Sequence, residues 1–167
     1  MKTLLLVRHA KSSWDEIGMD DSERPLNERG KKDAPQMARR LKDKNIKVDV
    51  FISSPAKRAD KTAKYFAEEY GLEKKEILLV DNLYGASVGS FLEVVSKIDD
   101  KHHTVALFSH NPGITEFANT LTSVRIDNIP TCGIFAVQVT ANKWADFSKA
   151  EKLFLFFDYP KNPLGAS

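Results

Sequence analysis

Residues 4–10 read Leu-Leu-Leu-Val-Arg-His-Ala. Four apolar residues in a row, too few for an amphipathic helix, read as a strand covered on both faces, and the run breaks on two basic side chains. Residues 48–52 and 105–108 repeat the type, and residues 77–80 are a weaker version of it. Between these runs the apolar period lengthens to that of a helix. Ala34, Met37, Ala38 and Leu41 form one stripe. Ala56, Ala59, Ala63, Phe66, Ala67 and Tyr70 form a second, closed by Gly71. Phe91, Val94, Val95 and Ile98 form a third, and Ile114, Phe117, Ala118 and Leu121 a fourth. Two more strands, at about 133–139 and 152–157, complete the pattern. Alternation of this kind predicts one three-layer α/β/α domain over residues 1–167, with a mostly parallel sheet and helices on both faces.

Composition agrees and removes whole classes of function. A chain of 167 residues buries roughly 70% of its unfolded surface, enough for a core without covalent staples. Hydrophobic residues at 42% and charged residues at 29% argue against disorder. With 25 Lys and Arg against 23 Asp and Glu, no overall field points to nucleic acid or an acidic membrane. The single Cys132 excludes an intramolecular disulfide framework and a cysteine-based zinc cage. No apolar run approaches the ~20 residues needed to span a bilayer. The first run stops at Arg8, short of the ~7–15-residue apolar stretch of a secretory signal, so the expected location is the cytoplasm.

The strand ends carry the chemistry. Ser54-Pro55 and Asn111-Pro112 each follow a strand and predict a helix start, with a capping side chain before a proline in the first helical position. The first strand delivers Arg8-His9, the second leads through Ser53-Ser54 to Arg58, and the run at 105–108 delivers Ser109-His110. Parallel strands place these ends on one rim, where open α/β sheets bind ligands. Two arginines and two histidines gathered there repel one another unless they face an anion. Phosphate suits them: arginine forks hold its oxygens, and an imidazole nitrogen is a competent nucleophile.

The segments 6–12 (LVRHAKS), 24–30 (RPLNERG), 53–63 (SSPAKRADKTA), 83–87 (LYGAS) and 109–113 (SHNPG), in that order, resemble the histidine phosphatase superfamily, the phosphoglycerate-mutase-like group, and within it the SixA-like branch of phosphohistidine phosphatases. The resemblance runs over essentially the whole chain, to Trp144-Ala145-Asp146. It implies that His9 attacks phosphorus and becomes a transient phosphohistidine, that Arg8 and Arg58 grip the non-bridging oxygens, and that His110 is a further phosphate contact. Water then releases phosphate, with neither metal nor other cofactor. The attacking nitrogen of His9 must be unprotonated, so its other ring nitrogen should donate to a fixed acceptor such as a backbone carbonyl. Asn27 and Ser12 are further candidates for the phosphate pocket, Asn27 equally as a helix cap; Lys11, Ser13 and Trp14 should border its entrance. Cys132 reads as a small buried hydrophobe.

One departure bears on the substrate. Ester-cleaving branches of the superfamily carry an acidic proton donor after the third strand, whereas Leu83-Tyr84-Gly85-Ala86 holds no carboxylate and Asp81 is the nearest. Imidazole leaves from phosphorus already protonated, so the missing acid favours a P–N over a P–O substrate. Asp15, Glu16, Asp20 and Asp21 are the carboxylates that could fill the gap. Short insertions suggest an open pocket suited to a protein side chain. The expected substrate is therefore a phosphohistidine-bearing protein. The alternatives are a phosphatase for small phosphate esters or anhydrides, and an inactive phosphate- or phosphoprotein-binding module.

Overall fold

The computed structural model describes residues 1–14, 18–72 and 76–163. Six strands form its central sheet: β1 (Lys2–Arg8), β2 (Val50–Ser53), β3 (Ile77–Leu79), β4 (Thr104–Ser109), β5 (Ile134–Val139) and β6 (Lys152–Asp158). They lie in the order β3-β2-β4-β1-β5-β6. Pairing is parallel from β3 through β1 and antiparallel at β1·β5 and β5·β6, so β5 alone runs against the rest.

Alternate residues of the buried strands serve two separate cores, which is why their sequences are continuous apolar runs rather than alternating ones. Leu4, Leu6, Ile52, Val105 and Leu107 face α3 (Val88–Ser96) and α4 (Gly113–Ala118), with Trp144 and Phe147 beneath. Leu5, Val7, Phe51, Ala106 and Phe108 face α1 (Glu28–Asp43) and α2 (Lys57–Glu69). This is the expected α/β/α arrangement. Gly71 stops α2 as read, adopting φ +74 while Leu72 N–H returns 2.8 Å to the Ala67 carbonyl.

Both proline-marked helix starts need correction. Helix α2 begins at Lys57 with Ala56 as its N-cap residue, two residues beyond Ser54. The Ser54 hydroxyl is taken by the Ala56 N–H (3.2 Å) and the His110 ring (2.7 Å), so it closes a turn before the helix. Helix α4 begins at Gly113, with Pro112 at the N-cap position after a cis Asn111–Pro112 peptide. The Asn111 amide instead donates to Asn128 and Ile129, and its carbonyl accepts from the Thr115 hydroxyl. A proline after a polar residue marks both places where the chain leaves the sheet, but the polar group is used to build the turn.

Candidate active site

Register brings the strand ends together. Arg8 lies opposite Ser109 in the β1·β4 pair, and Ser53 opposite Phe108 in β2·β4, so residues 9, 54 and 110 follow one another across one edge. Because β5 is antiparallel, its approach enters at that same edge. The Cys132 N–H sits 3.0 Å from both the Arg8 and His9 carbonyls, and Arg8 Nη1 donates to the Ile129 carbonyl at 3.0 Å. The pocket there, about 530 Å³, is lined by Arg8, His9, Arg58 and His110, with Ser12 and Asp21 among its walls.

His9 is fixed from behind. Its Nδ1 lies 2.7 Å from the Ala10 carbonyl, which can only accept, so Nδ1 carries the proton and Nε2 the lone pair. Ala10 is itself held: its N–H donates to Thr62 Oγ1 (2.9 Å), and that hydroxyl donates to the Arg58 carbonyl (2.7 Å). Burial lowers the His9 pKa to about 3, and His110, Arg58 and Arg8 push the same way. The imidazole is neutral throughout the physiological range. His110 stands 5.1 Å away, ring to ring, with its pKa lowered to about 4 by burial and then Arg58. Its Nε2 meets Ser54 Oγ at 2.7 Å, and its buried Nδ1 has no partner among the described residues.

The charge balance of the rim differs from the sequence reading. Asp21, from the loop after β1, reaches across to Arg58, its carbonyl accepting from Nη1 (2.6 Å) and its Oδ2 from Nη2 (2.8 Å). Tyr84 donates to the same Oδ2 at 2.6 Å, and Arg24 Nη1 donates to Oδ1 at 2.8 Å. These partners, the Tyr84 hydroxyl first, lower the Asp21 pKa to about 2. Asp21 is thus held in its carboxylate form. Arg24 uses all three of its nitrogens, donating also to Ser13 O and Ser12 Oγ, and stacks on Trp14 at 3.2 Å.

Of the anticipated residues, Arg8, His9, Arg58, His110 and Ser12 share this pocket. Asn27 is not brought to it: its carboxamide accepts from Gly30 N–H at 2.9 Å and caps α1. Lys11 and Trp14 also line the pocket. Asp81 instead opens a short 3-10 turn, where its carbonyl accepts from Tyr84 N–H (3.0 Å). Asp15 and Glu16 lie outside the described residues. Arg24, Tyr84 and Thr62 all fell inside motifs already singled out, yet their work was not legible there because each acts on a distant segment. Among the described residues no group of three His, Cys, Asp or Glu side chains is placed to hold a metal ion. Nor is any described helix long and apolar enough to cross a membrane.

A mostly parallel sheet with arginines and histidines gathered at its strand ends defines a phosphate-handling α/β architecture. Residues 4–92, over half of the chain, match the family model of the histidine phosphatase superfamily (branch 1), and the chain belongs to that superfamily. It is a hydrolase of the phosphatase class. Phosphoserine phosphatase 1 of Hydrogenobacter thermophilus is 39% identical over 98 residues, 57% of this chain and 46% of that protein. An uncharacterised chloroplastic protein of Arabidopsis thaliana is 29% identical over 87% of this chain and 70% of its own. The protein histidine phosphatase SixA, solved in complex with tungstate, superposes with a TM-score of 0.79 at 20% identity, covering 95% of this chain and 97% of that one.

Proposed function

We propose that this chain removes the phosphoryl group from phosphohistidine on a protein. His9 Nε2 attacks phosphorus in line, the P–N bond to the substrate imidazole breaks, and the phosphoryl group rests on His9. Water then attacks that phosphorus, inorganic phosphate leaves, and His9 returns to its neutral form. Arg8 and Arg58 bind the equatorial oxygens, and His110 contacts the same group. Positioning and charge stabilisation supply most of what phosphoryl transfer needs.

The observation that carries the reading is the state of Asp21. It is the one carboxylate among the described residues lining the pocket, and Tyr84, Arg58 and Arg24 hold it ionised. A site whose carboxylate is held without a proton suits a leaving group that departs as neutral imidazole better than an alkoxide. The fold likeness to a protein histidine phosphatase supports the same substrate class. The phosphoserine phosphatase relative favours the second reading, a small phosphate ester.

Single-turnover hydrolysis of a phosphohistidine peptide beside an aryl phosphate, without added metal, decides between them. The expected result is faster P–N cleavage that falls by about 10³-fold or more in His9→Ala. Equal or faster ester cleavage by the wild type would overturn the substrate assignment. Turnover surviving in His9→Ala would overturn the nucleophile. Phosphate binding without turnover of either substrate would leave a binding module.

A further inference from the structure

A second pocket of about 240 Å³ opens beside the first and shares Lys11 and Thr131 with it. Its other walls come from the first two turns of α1 (Arg29, Asp33) and from the segment after β6 (Tyr159, Lys161). Three cations therefore face one carboxylate, and that carboxylate is already used. Asp33 is 6% exposed and pairs with Arg29 Nε at 3.3 Å, so it anchors the guanidinium in the wall. Lys11 and Lys161 are exposed and carry no ion pair among the described residues.

The walls are braced before any ligand arrives. Arg40 Nη1 donates to the Tyr159 carbonyl and Nη2 to the Pro160 carbonyl, both at 3.0 Å, and Nη1 also reaches Asp158 Oδ1 at 3.3 Å. Asn27 N–H donates to the Lys11 carbonyl at 3.0 Å, tying the start of α1 to the loop that carries His9. Thr131 precedes Cys132, whose N–H is bound to the Arg8 and His9 carbonyls. Both pockets are thus built on the same backbone, so a substrate whose phosphoryl group lies in the first has the second within reach.

We propose that this second pocket is a subsite for a carboxylate on the substrate itself. Lys161 and Arg29 bind that carboxylate while the phosphoryl group faces His9. The inference rests on the reading of His9 as the nucleophile. Two sources share this chemistry: an acidic side chain flanking the phosphorylated residue of a protein, and the carboxylate of a small phosphorylated acid.

The test compares two phosphohistidine peptides that differ only by glutamate or glutamine two residues from the phosphorylated side chain. Phosphoserine and a carboxylate-free aryl phosphate are run beside them. Wild type is expected to show a KM about fivefold lower for the glutamate peptide at unchanged kcat, in the range of one partly exposed charge contact. Lys161→Glu is expected to abolish or invert that preference while leaving the aryl phosphate untouched, and Lys161→Gln to abolish it without added charge. A preference confined to phosphoserine assigns the subsite to small acids. Peptide affinity for His9→Ala, measured by calorimetry, reads the same preference without turnover, so loss of the nucleophile reading does not mask the result. No difference between the peptides and between phosphoserine and aryl phosphate, or a preference that survives Lys161→Glu, overturns the proposal.

Discussion

Gly30→Ala sets a helix-stabilising change against a steric one, and the geometry decides which wins. Gly30 is the third residue of α1 and is buried against the loop that follows β1. A Cβ there would stand 2.2 Å from the Lys11 carbonyl oxygen and 3.0 Å from the Lys11 nitrogen. Both are backbone atoms, and an ordinary C···O contact is about 3.3 Å. The loop must therefore retreat by about 1 Å. That movement pulls at the Asn27 N–H···Lys11 O bond (3.0 Å) and, one residue earlier, at the Ala10 carbonyl that orients His9.

Alanine in the helix returns about 1 kcal/mol. Overpacking costs about 1–3 kcal/mol, and the strained hydrogen bond about 1 more. Net destabilisation of about 1–3 kcal/mol is expected in urea unfolding at pH 7, with kcat lower by about 10²-fold from the displaced imidazole. Gly89→Ala is the matched control. It sits in the first turn of α3, is exposed, and its Cβ would meet only Ser87 Oγ at 3.7 Å. Stabilisation of up to about 1 kcal/mol with unchanged kinetics is expected there. A Gly30→Ala variant as stable and active as wild type would refute the reasoning, since the 2.2 Å approach would then be relieved without cost.

Three other expectations follow from the charges of the site. With the His9 pKa held at about 3, its ring-proton NMR resonances should not shift between about pH 5 and 8 and should move only below about pH 4; a midpoint near ~6.5 would mean a solvated ring. Both histidines have folded pKa values below the ordinary ~6.5, so their contribution to stability is complete above about 6.5. It drains away as the pH falls toward 3–4, because the unfolded chain takes up protons first, and urea midpoints across this range should show it. Asp21→Asn should lower kcat/KM by about tenfold through a loosened Arg58. The thermal midpoint should barely move, because the Asp21 side chain is 45% exposed and such pairs contribute little. A faster variant would show that the carboxylate repels substrate rather than orienting the arginine.

Cys132 illustrates how a local reading and a tertiary one can agree for different reasons. A lone cysteine without basic neighbours reads as a buried hydrophobe, and it is fully buried, with its thiol pKa pushed far up by that burial. Nothing in the sequence indicated its φ of +61, or that its N–H would bind the carbonyls of Arg8 and His9. That backbone conformation is imposed by the antiparallel entry of β5 at the edge where β1 ends.

The sequence by itself determined which segments form strands and helices, though not where α2 and α4 begin, together with the two-sided burial of the sheet and the meeting of Arg8, His9, Arg58 and His110. Each of these rests on a local periodicity or on the rule that parallel strands end together. Only the tertiary structure decided which groups surround those four. Asp21 reaches Arg58 across 37 positions and Tyr84 across 63, and Thr62 holds Ala10 across 52. The second pocket joins residues 11, 29 and 33 to 131, 159 and 161. The physical reason is reach: periodicity records which face of an element is buried, whereas side-chain hydrogen bonds and ion pairs act over about 3 Å between segments whose proximity exists only after packing.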